Sequence, residues 1–215
     1  MARIGTSGLI LAESEASEML KSLWVPFAAA AWLAVAVSGL YVLWSYENGA
    51  GAPATASEKW PSASRLVPAA DRSTVVFVAH PQCTCTRASI GELAEALART
   101  KTPPKTYVVF IKPSSMPDGW ERSDLWKTAE GLPNATIVRD DDGREAGIFG
   151  AATSGQTFVY DSAGALQFSG GITGSRGHAG DNDGRAAVVT LLNHLERERA
   201  STNVFGCSLF ASDKS

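Results

Sequence analysis

The stretch TVVFVAHPQCTCTRASIGELAEALAR, residues 74–99, places two cysteines between an apolar run and an amphipathic segment. The run at 74–79 is continuous, β-branched and aromatic, which is typical of a buried strand. In residues 86–99 four apolar side chains recur at helical spacing and share one face; they are Ile90, Leu93, Ala94 and Leu97. The sequence therefore predicts a strand, a short loop that contains Cys83 and Cys85, and a helix.

The chain that follows alternates in the same way. Further strands are predicted at residues 107–111, 135–139, 156–161 and 165–169, and further helices at 122–130 and 183–198. A helical turn precedes Phe149, and residues 162–164 join the last two strands as a hairpin. Because strands that alternate with helices imply parallel pairing, we expect an α/β fold. It has a central sheet, helices on both faces and an antiparallel hairpin.

An uncharged apolar stretch of 22 residues, 23–44, lies near the N-terminus. About 20 apolar residues cross a bilayer core, whereas the apolar part of a secretory signal has only about 7–15. The sequence predicts one transmembrane helix. A cleaved signal peptide is the alternative, because small residues at 52–56 resemble a cleavage site.

The prediction divides the chain into five parts. An N-terminal tail covers residues 1–22, and the transmembrane helix covers 23–46. A flexible linker follows at 47–71, where Ala, Gly, Pro and Ser dominate. The soluble domain covers 72–200, and a C-terminal tail with Cys207 covers 201–215.

Charge and composition exclude several functions. The formal net charge is −3, and no basic stripe suggests nucleic acid as a partner. Three cysteines are too few for a disulfide scaffold. The glycines of residues 170–184 do not match a dinucleotide-binding loop between a strand and a helix. The spacing of the cysteines is therefore the most informative feature.

Cys83 and Cys85 lie at the expected N-terminus of a helix, where free N–H groups and the helix dipole stabilise a thiolate. A thiolate is both the nucleophile of disulfide exchange and a ligand for soft metals. A bridge across one residue is strained, so it favours an oxidant or isomerase over a strong reductant. Cys207 is either a third redox thiol or a small buried apolar residue.

Several motifs carry a resemblance to known proteins. The strand–loop–cysteine–helix element resembles the thioredoxin superfamily, and FGAATSGQTFVYDSAGALQFSGG, residues 149–171, resembles membrane-tethered proteins of the TlpA type. The chain is most similar to the RedB family of thioredoxin-like membrane proteins, over about residues 74–210. That likeness rests on four motifs, which are HPQCTCTRASIGEL, GAATSG, FSGGITGSRGHAGDNDGR and VFGCSLF.

The resemblance implies a thioredoxin-like sheet and a thiol–disulfide oxidoreductase. It also implies a bacterial inner-membrane protein with a single span, whose C-terminal domain lies in the periplasm. Two features depart from ordinary thioredoxins. The motif is Cys-x-Cys, and Ser154 and Gly155 stand where the superfamily has a loop with a cis-proline. Since a cis bond before a non-proline residue costs about 2.5–4 kcal/mol, we expect a trans peptide in this candidate substrate loop.

The resulting functional hypothesis assigns attack to Cys83, resolution to Cys85 and a relay role to Cys207, without a cofactor. The expected partner is a thiol or disulfide protein. The first alternative is a copper-binding module similar to Sco proteins, which would use Cys83, Cys85 and His178 as ligands. The second is a catalytically silent interaction domain. His80 is expected beside the cysteines as a packing neighbour or ligand.

Overall fold

The computed structural model describes residues 7–193 and 200–210. Two compact units divide at Tyr46 and Glu47. In the first, helix α1 covers Ser7–Asn48, so helical structure begins well before the predicted span. Its segment Trp24–Asn48 has 25 residues and contains an 18-residue window with a mean hydropathy of 1.8, which by length and composition is sufficient to cross a membrane. An apolar helix near the N-terminus is also compatible with a signal sequence.

The second unit contains the remaining elements. In chain order they are β1 Thr74–Ala79, α2 Thr84–Ala98, β2 Lys105–Lys112, α3 Asp124–Glu130, β3 Ala135–Asp141, α4 Arg144–Ile148, β4 Gln156–Tyr160, β5 Leu166–Gly170, α5 Asp183–Leu192 and β6 Ala200–Ser201.

The described strands form a sheet in the order β3-β2-β1-β4-β5-β6. β1 pairs with β2, and β2 with β3, in parallel. β4 pairs antiparallel with both β1 and β5. A helix crosses over between the parallel strands, and the hairpin completes the sheet. This is the thioredoxin-like α/β architecture, and the predicted fold class is confirmed.

Alternate residues of β1 point into two separate cores, as the pleat of a strand requires. Val75 and Phe77 pack with apolar side chains of α2, α3 and α5 on one face. Val76 and Val78 pack on the other face, which is covered by α4 and by irregular chain. Both faces of the sheet are therefore buried, which explains why β1 is apolar throughout.

Several elements differ from the sequence prediction. Strand β2 covers Lys105–Lys112 rather than 107–111, and α3 begins at Asp124 rather than at residue 122. Helix α2 begins at Thr84, two residues earlier than expected, and Cys83 becomes its N-cap. Strand β3 continues to Asp141, so the turn is confined to Asp142 and Gly143, both with positive φ. The two-residue strand β6 was not predicted. Residues 194–198 of the predicted last helix lie outside the described residues.

The segment 47–71, predicted to be a flexible linker, is instead hydrogen-bonded to the folded unit. The N–H of Gly51 donates to the carbonyl of Val204 at 2.8 Å, and the N–H of Thr55 donates to that of Gly150 at 2.9 Å. Trp60 packs edge-on against Phe149 and Tyr160. Small residues bury little apolar surface, but they let two backbones approach closely. The small residues of this connecting segment permit its backbone hydrogen bonds to the folded unit.

Candidate active site

Cys83 lies at the point where the loop after β1 turns into α2. Its backbone is extended, with φ −83° and ψ 108°. The N–H of Thr86 donates to its carbonyl at 3.0 Å, and the N–H of Cys83 donates to the carbonyl of His80 at 3.1 Å. Only 1% of Cys83 is exposed. The sulfur is therefore held beside the free N–H groups of the first helical turn.

Hydrogen bonds determine the acidity of Cys83. Burial alone raises the pKa of its thiol, because a thiolate loses hydration. The thiol of Cys207, the hydroxyl of Thr86 and the backbone N–H groups of both residues donate to the sulfur and outweigh burial. The pKa of Cys83 is consequently lower than its ordinary value, so its thiolate forms more readily than that of an ordinary cysteine.

The other two thiols are shifted in the opposite direction. Burial raises the pKa of Cys85, and the neighbouring charge of Cys83 raises it further. Burial and hydrogen bonding to Cys83 raise the pKa of Cys207 to about 12. All three cysteines are free thiols, and Cys85 and Cys207 are half-buried. The site therefore combines one thiol whose pKa is lowered with two thiols whose pKa values are raised.

The C-terminal segment, residues 201–210, brings Cys207 to the site. Its backbone N–H donates to Cys83 Sγ with an N–S distance of 3.4 Å. Thr153 and Ser208 form an antiparallel bridge. Ser154 N–H donates to the Cys207 carbonyl at 2.8 Å. The segment thus lies against the loop before β4 like a short added strand.

Ser154 connects the two cysteine-bearing parts of the chain. Its hydroxyl accepts a hydrogen bond from the N–H of His80 at 2.7 Å and lies 2.6 Å from the hydroxyl of Thr86. Its N–H holds the carbonyl of Cys207. One buried serine therefore fixes the cysteine loop, the first turn of α2 and the C-terminal segment at the same time.

Ser154 and Gly155 were predicted to form a substrate loop. No cis peptide bond occurs among the residues that the structure describes, so the bond between them is trans, as predicted. Both residues are buried, and the C-terminal segment covers Ser154. In this arrangement the candidate loop contacts the protein's own chain, so an external substrate reaches it only after that segment moves.

Arg176 belongs to the glycine-rich loop between β5 and α5. Its Nη1 donates to the carbonyl of Gly206 at 2.5 Å, and its Nε donates to the carbonyl of Gly49 at 3.1 Å. Its positive charge lowers the pKa of both Cys85 and Cys207, against the stronger effect of burial. Arg176 therefore joins the C-terminal segment to the connecting segment and adds positive potential near the thiols.

The histidines have lesser roles in the geometry. His178 is exposed, and its Nδ1 lies 3.2 Å from the carbonyl of Arg176. Across residues 7–193 and 200–210, no group of three His, Cys, Asp or Glu side chains is placed to hold a metal ion. The predicted set of Cys83, Cys85 and His178 is therefore not assembled here. His194 lies outside the described residues.

His80 faces a groove beside the cysteine loop. Its ring packs edge-on against Trp120, with centroids 5.4 Å apart. Its Nδ1 accepts a hydrogen bond from the N–H of Gln82 at 3.2 Å, and burial lowers the pKa of the imidazole. The groove has a volume of about 440 Å³, and Met116 and Phe210 also line it. His80 is thus a neutral packing neighbour of the loop.

Sequence reasoning missed Thr86 and the clamping role of Arg176. Thr86 follows Cys83 by three residues, which is the N3 position of α2, and this spacing is a usable signal for a group that contacts an N-cap. Arg176 has no comparable signal, because both of its backbone partners lie far away in sequence. For Cys207 the sequence left a third redox thiol and a small buried apolar residue as alternatives, and the structure places its N–H against the Cys83 sulfur.

Comparisons with known proteins support the fold. No family model matches the sequence, and no curated protein matches it significantly. A solved structure of a hypothetical protein from Sinorhizobium meliloti is similar, with 17% identity, a TM-score of 0.50, and coverage of 73% of this chain and 96% of that one. An uncharacterized conserved protein from Geobacillus kaustophilus has 16% identity and a TM-score of 0.54, with coverage of 78% and 95%. At these identities the likeness concerns the fold alone.

A third solved structure is the exposed lipoprotein thioredoxin of Streptococcus pneumoniae. It has 16% identity, a TM-score of 0.38, and coverage of 58% of this chain and 85% of that one. Its similarity is too low to support an argument about this site. The thioredoxin-like assignment therefore stands on the strand order and pairing of the chain itself.

Proposed function

We propose that this protein is a membrane-tethered thiol–disulfide oxidoreductase that resembles the RedB family. The observation that supports it best is the position of Cys83, a buried sulfur at the N-cap of α2 that accepts hydrogen bonds from Thr86 and Cys207. Such contacts favour the thiolate, which is the reactive form in disulfide exchange. Cys83 is the reactive thiolate, and Cys85 and Cys207 are the two thiols that neighbour it.

The electrostatics support an oxidising site. A disulfide whose reduced form is stabilised has a higher reduction potential, as in strongly oxidising exchange proteins. Hydrogen bonding to the Cys83 thiolate stabilises the reduced site in this way. The protein therefore accepts electrons from a protein dithiol more readily than it reduces a stable disulfide.

The proposal includes the membrane and the compartment. The segment Trp24–Asn48 anchors the chain in the bacterial inner membrane, with the N-terminus inside and the domain in the periplasm. Disulfides persist in that compartment. Mass spectrometry of the membrane fraction checks the anchor, because cleavage near residue 56 shortens the chain. A membrane-impermeant maleimide should label a Cys85-only variant after the outer membrane is opened, and before the inner membrane is lysed.

The enzymatic proposal is tested with the full-length chain in detergent. Wild type, C83S and the control T190S, a half-buried position on α5, are equilibrated with dithiothreitol and assayed for disulfide exchange with an oxidised peptide and a reduced dithiol peptide. We expect turnover in wild type and T190S and its loss in C83S. Full activity of C83S would remove Cys83 from the mechanism, and absence of turnover in folded wild type would favour the silent interaction domain.

Copper binding is the second candidate, because Cys207 N lies 3.4 Å from Cys83 Sγ and soft thiolates select Cu(I). Equilibrium dialysis of the reduced chain against Cu(I) tests it, with C83S to remove one thiol and H178A to test the exposed imidazole. Stoichiometric binding that is lost in C83S would support the copper module, and a further loss in H178A would add His178 to its ligands. No binding would leave the oxidoreductase as the proposal.

A further inference from the structure

We infer that the internal redox pair is Cys83 and Cys207, joined across the added C-terminal segment, and that Cys85 remains outside the bridge. This inference rests on the proposed function and identifies the partner with which the reactive sulfur closes a disulfide. It differs from the assignment that the Cys-x-Cys spacing favours. The two assignments lead to different products on oxidation.

The first argument is the fixed position of Cys207. Backbone hydrogen bonds hold the C-terminal segment on both sides of it, from Ser154 N–H to the Cys207 carbonyl at 2.8 Å and from Leu209 N–H to the Ala152 carbonyl at 2.9 Å. Between them, the Cys207 N–H points at Cys83 Sγ over 3.4 Å. Strand addition thus holds the Cys207 thiol within hydrogen-bonding reach of the Cys83 sulfur.

The second argument is the position of Cys85 in the first turn of α2. Its thiol hydrogen-bonds to the Cys83 sulfur, so both Cys85 and Cys207 contact the reactive sulfur. The two contacts differ in what a bridge would require. A Cys83–Cys85 disulfide closes a loop across a single residue at the start of α2, where the Thr86 N–H donates to the Cys83 carbonyl at 3.0 Å, and so short a bridge is strained. A Cys83–Cys207 disulfide joins separate parts of the chain and lacks that constraint.

The third argument is access. Cys83 is 1% exposed, whereas Cys207 is half-buried. A partner thiolate therefore attacks Cys207 Sγ in the oxidised pair. The Cys83–Cys207 bond breaks, Cys83 leaves as a thiolate, and the partner becomes linked to Cys207. The second thiolate of the partner then attacks the partner's own sulfur and releases Cys207, which takes up a proton.

Over the whole cycle the Cys83–Cys207 disulfide is lost and one disulfide forms in the partner. The partner dithiol loses two electrons and two protons and becomes a disulfide, and the Cys83–Cys207 pair gains the two electrons. One proton goes to Cys207, and the other goes to Cys83 or to solvent according to the pH, because the Cys83 thiolate is released first and has the lower pKa. A low pKa of the leaving thiol speeds the first step. The reverse direction begins with a Cys207 thiolate, which is scarce because its pKa is about 12.

The test is disulfide mapping of the full-length chain in detergent. Wild type, C85S and C207S are equilibrated with glutathione redox buffers, alkylated under acid quench, digested and analysed by mass spectrometry. We expect one internal bridge, between the peptides that carry Cys83 and Cys207, in wild type and in C85S. In C207S we expect no internal bridge at the potential that half-oxidises wild type, with Cys83 either alkylated or linked to glutathione.

Two results would overturn the inference, and they separate it from the proposed function. A Cys83–Cys85 bridge in wild type that forms at an unchanged potential in C207S would refute the pairing while the oxidoreductase stands. Failure of wild type to form an internal bridge at any potential, with the fold verified by circular dichroism, would refute the pairing. If dithiol turnover is absent as well, the oxidoreductase also falls.

Discussion

The carbonyl oxygen of Ser154 fills the space in which a Cβ at position 206 would lie, so the two backbones meet only because residue 206 is glycine. Gly206 directly precedes Cys207, and Ser154 also holds the Cys207 carbonyl. The absence of one side chain therefore determines how closely the C-terminal segment approaches the cysteine loop. The hydrogen bonds to the Cys83 sulfur depend on this approach.

Replacing Gly206 with alanine is expected to push the C-terminal segment outward. Overpacking of this kind costs about 1–3 kcal/mol of unfolding free energy. The pKa of Cys83 should rise, because the Cys207 donors move away. Thermal unfolding and the ultraviolet absorbance of the thiolate as a function of pH measure the two effects.

Gly91 provides the control for this substitution. It lies on the exposed side of α2, and a Cβ there meets nothing within 4 Å. G91A should stabilise the chain by about 0.5–1 kcal/mol, since alanine is the better helix former, and should leave the Cys83 titration unchanged. An identical Cys83 pKa in G206A and wild type would contradict the role given to the close approach.

Substituting Arg176 is expected to loosen the C-terminal segment in a manner that lysine does not rescue. The two carbonyls at Gly49 and Gly206 are held by different nitrogens of one guanidinium, and an ammonium group cannot reproduce that fork. Loss of the charge in R176Q should also raise the pKa of Cys85 and Cys207. R176K should show the loosening with less change in pKa.

Limited proteolysis within residues 201–210 and thiol titration separate these two effects. Faster cleavage in both variants, with the larger pKa change only in R176Q, is the expected result. Unchanged cleavage in R176K would show that the positive charge alone holds the segment.

The stability of the reduced protein should depend on pH in two opposite ways. The folded pKa of Cys83 is lower than its unfolded value near 9.0, so the unfolded chain binds more protons between the two values and stability rises with pH there. For Cys207 the folded pKa is about 12, so the folded chain retains a proton that the unfolded chain releases above about 9. Stability therefore falls as pH rises further.

Comparison of wild type with C83S isolates the rise of stability with pH, and comparison with C207S isolates the fall. C83S should lose the rise below pH 9 and C207S should weaken the fall above it. Thermal unfolding under reducing conditions at closely spaced pH values provides the measurement. If the stability of wild type and that of C83S changed in parallel with pH below 9, Cys83 would have an ordinary pKa.

The buried ion pair between Glu92 and Arg185 anchors the glycine-rich loop to α2. Its N–O distance is 2.5 Å, and the two side chains are 3% and 8% exposed. Glu92 also accepts the N–H of Gly180 at 2.7 Å. R185A should destabilise the fold by about 3–5 kcal/mol, because a buried carboxylate loses its partner. The double variant E92L/R185M should recover most of that loss.

The exposed pair Glu95 and Arg99 on the same helix is the matched control. Its side chains are 58% and 54% exposed, and R99A should cost about 1 kcal/mol or less. Thermal unfolding of the three variants tests the difference. Equal effects of R185A and R99A would show that the buried pair is fully hydrated in solution.

The elements with a strong periodic signal were predictable from the sequence. β1 has no polar interruption between Thr74 and Ala79, and its two neighbours are apolar on both faces. This pattern predicts a sheet that is covered on both faces. The cysteine loop was predictable for the same reason, because a strand and an amphipathic helix fix its ends. Residues that these elements position directly, such as Cys83, were therefore identified.

Irregular chain was not predictable in the same way. The small residues of the connecting segment are also those of a flexible tether, and only the structure shows that Gly51 lies against Thr153. The path of residues 201–210 depends on individual backbone hydrogen bonds, and no periodic pattern of side chains in the sequence predicts them. Ser154 was singled out as part of a substrate loop, but its contacts depend on where the C-terminal segment lies.

The distance along the chain between Cys83 and Cys207 has a consequence during biosynthesis. The two residues are separated by 124 positions. At about 5–20 residues per second, translation needs roughly 6–25 s to proceed from the first to the second. Through that interval Cys85 is the nearest thiol to Cys83 in the nascent chain, whereas the inferred final partner, Cys207, has not yet been made. The redox centre is therefore completed last, and a prematurely oxidised nascent chain must exchange its bridge before the site matures.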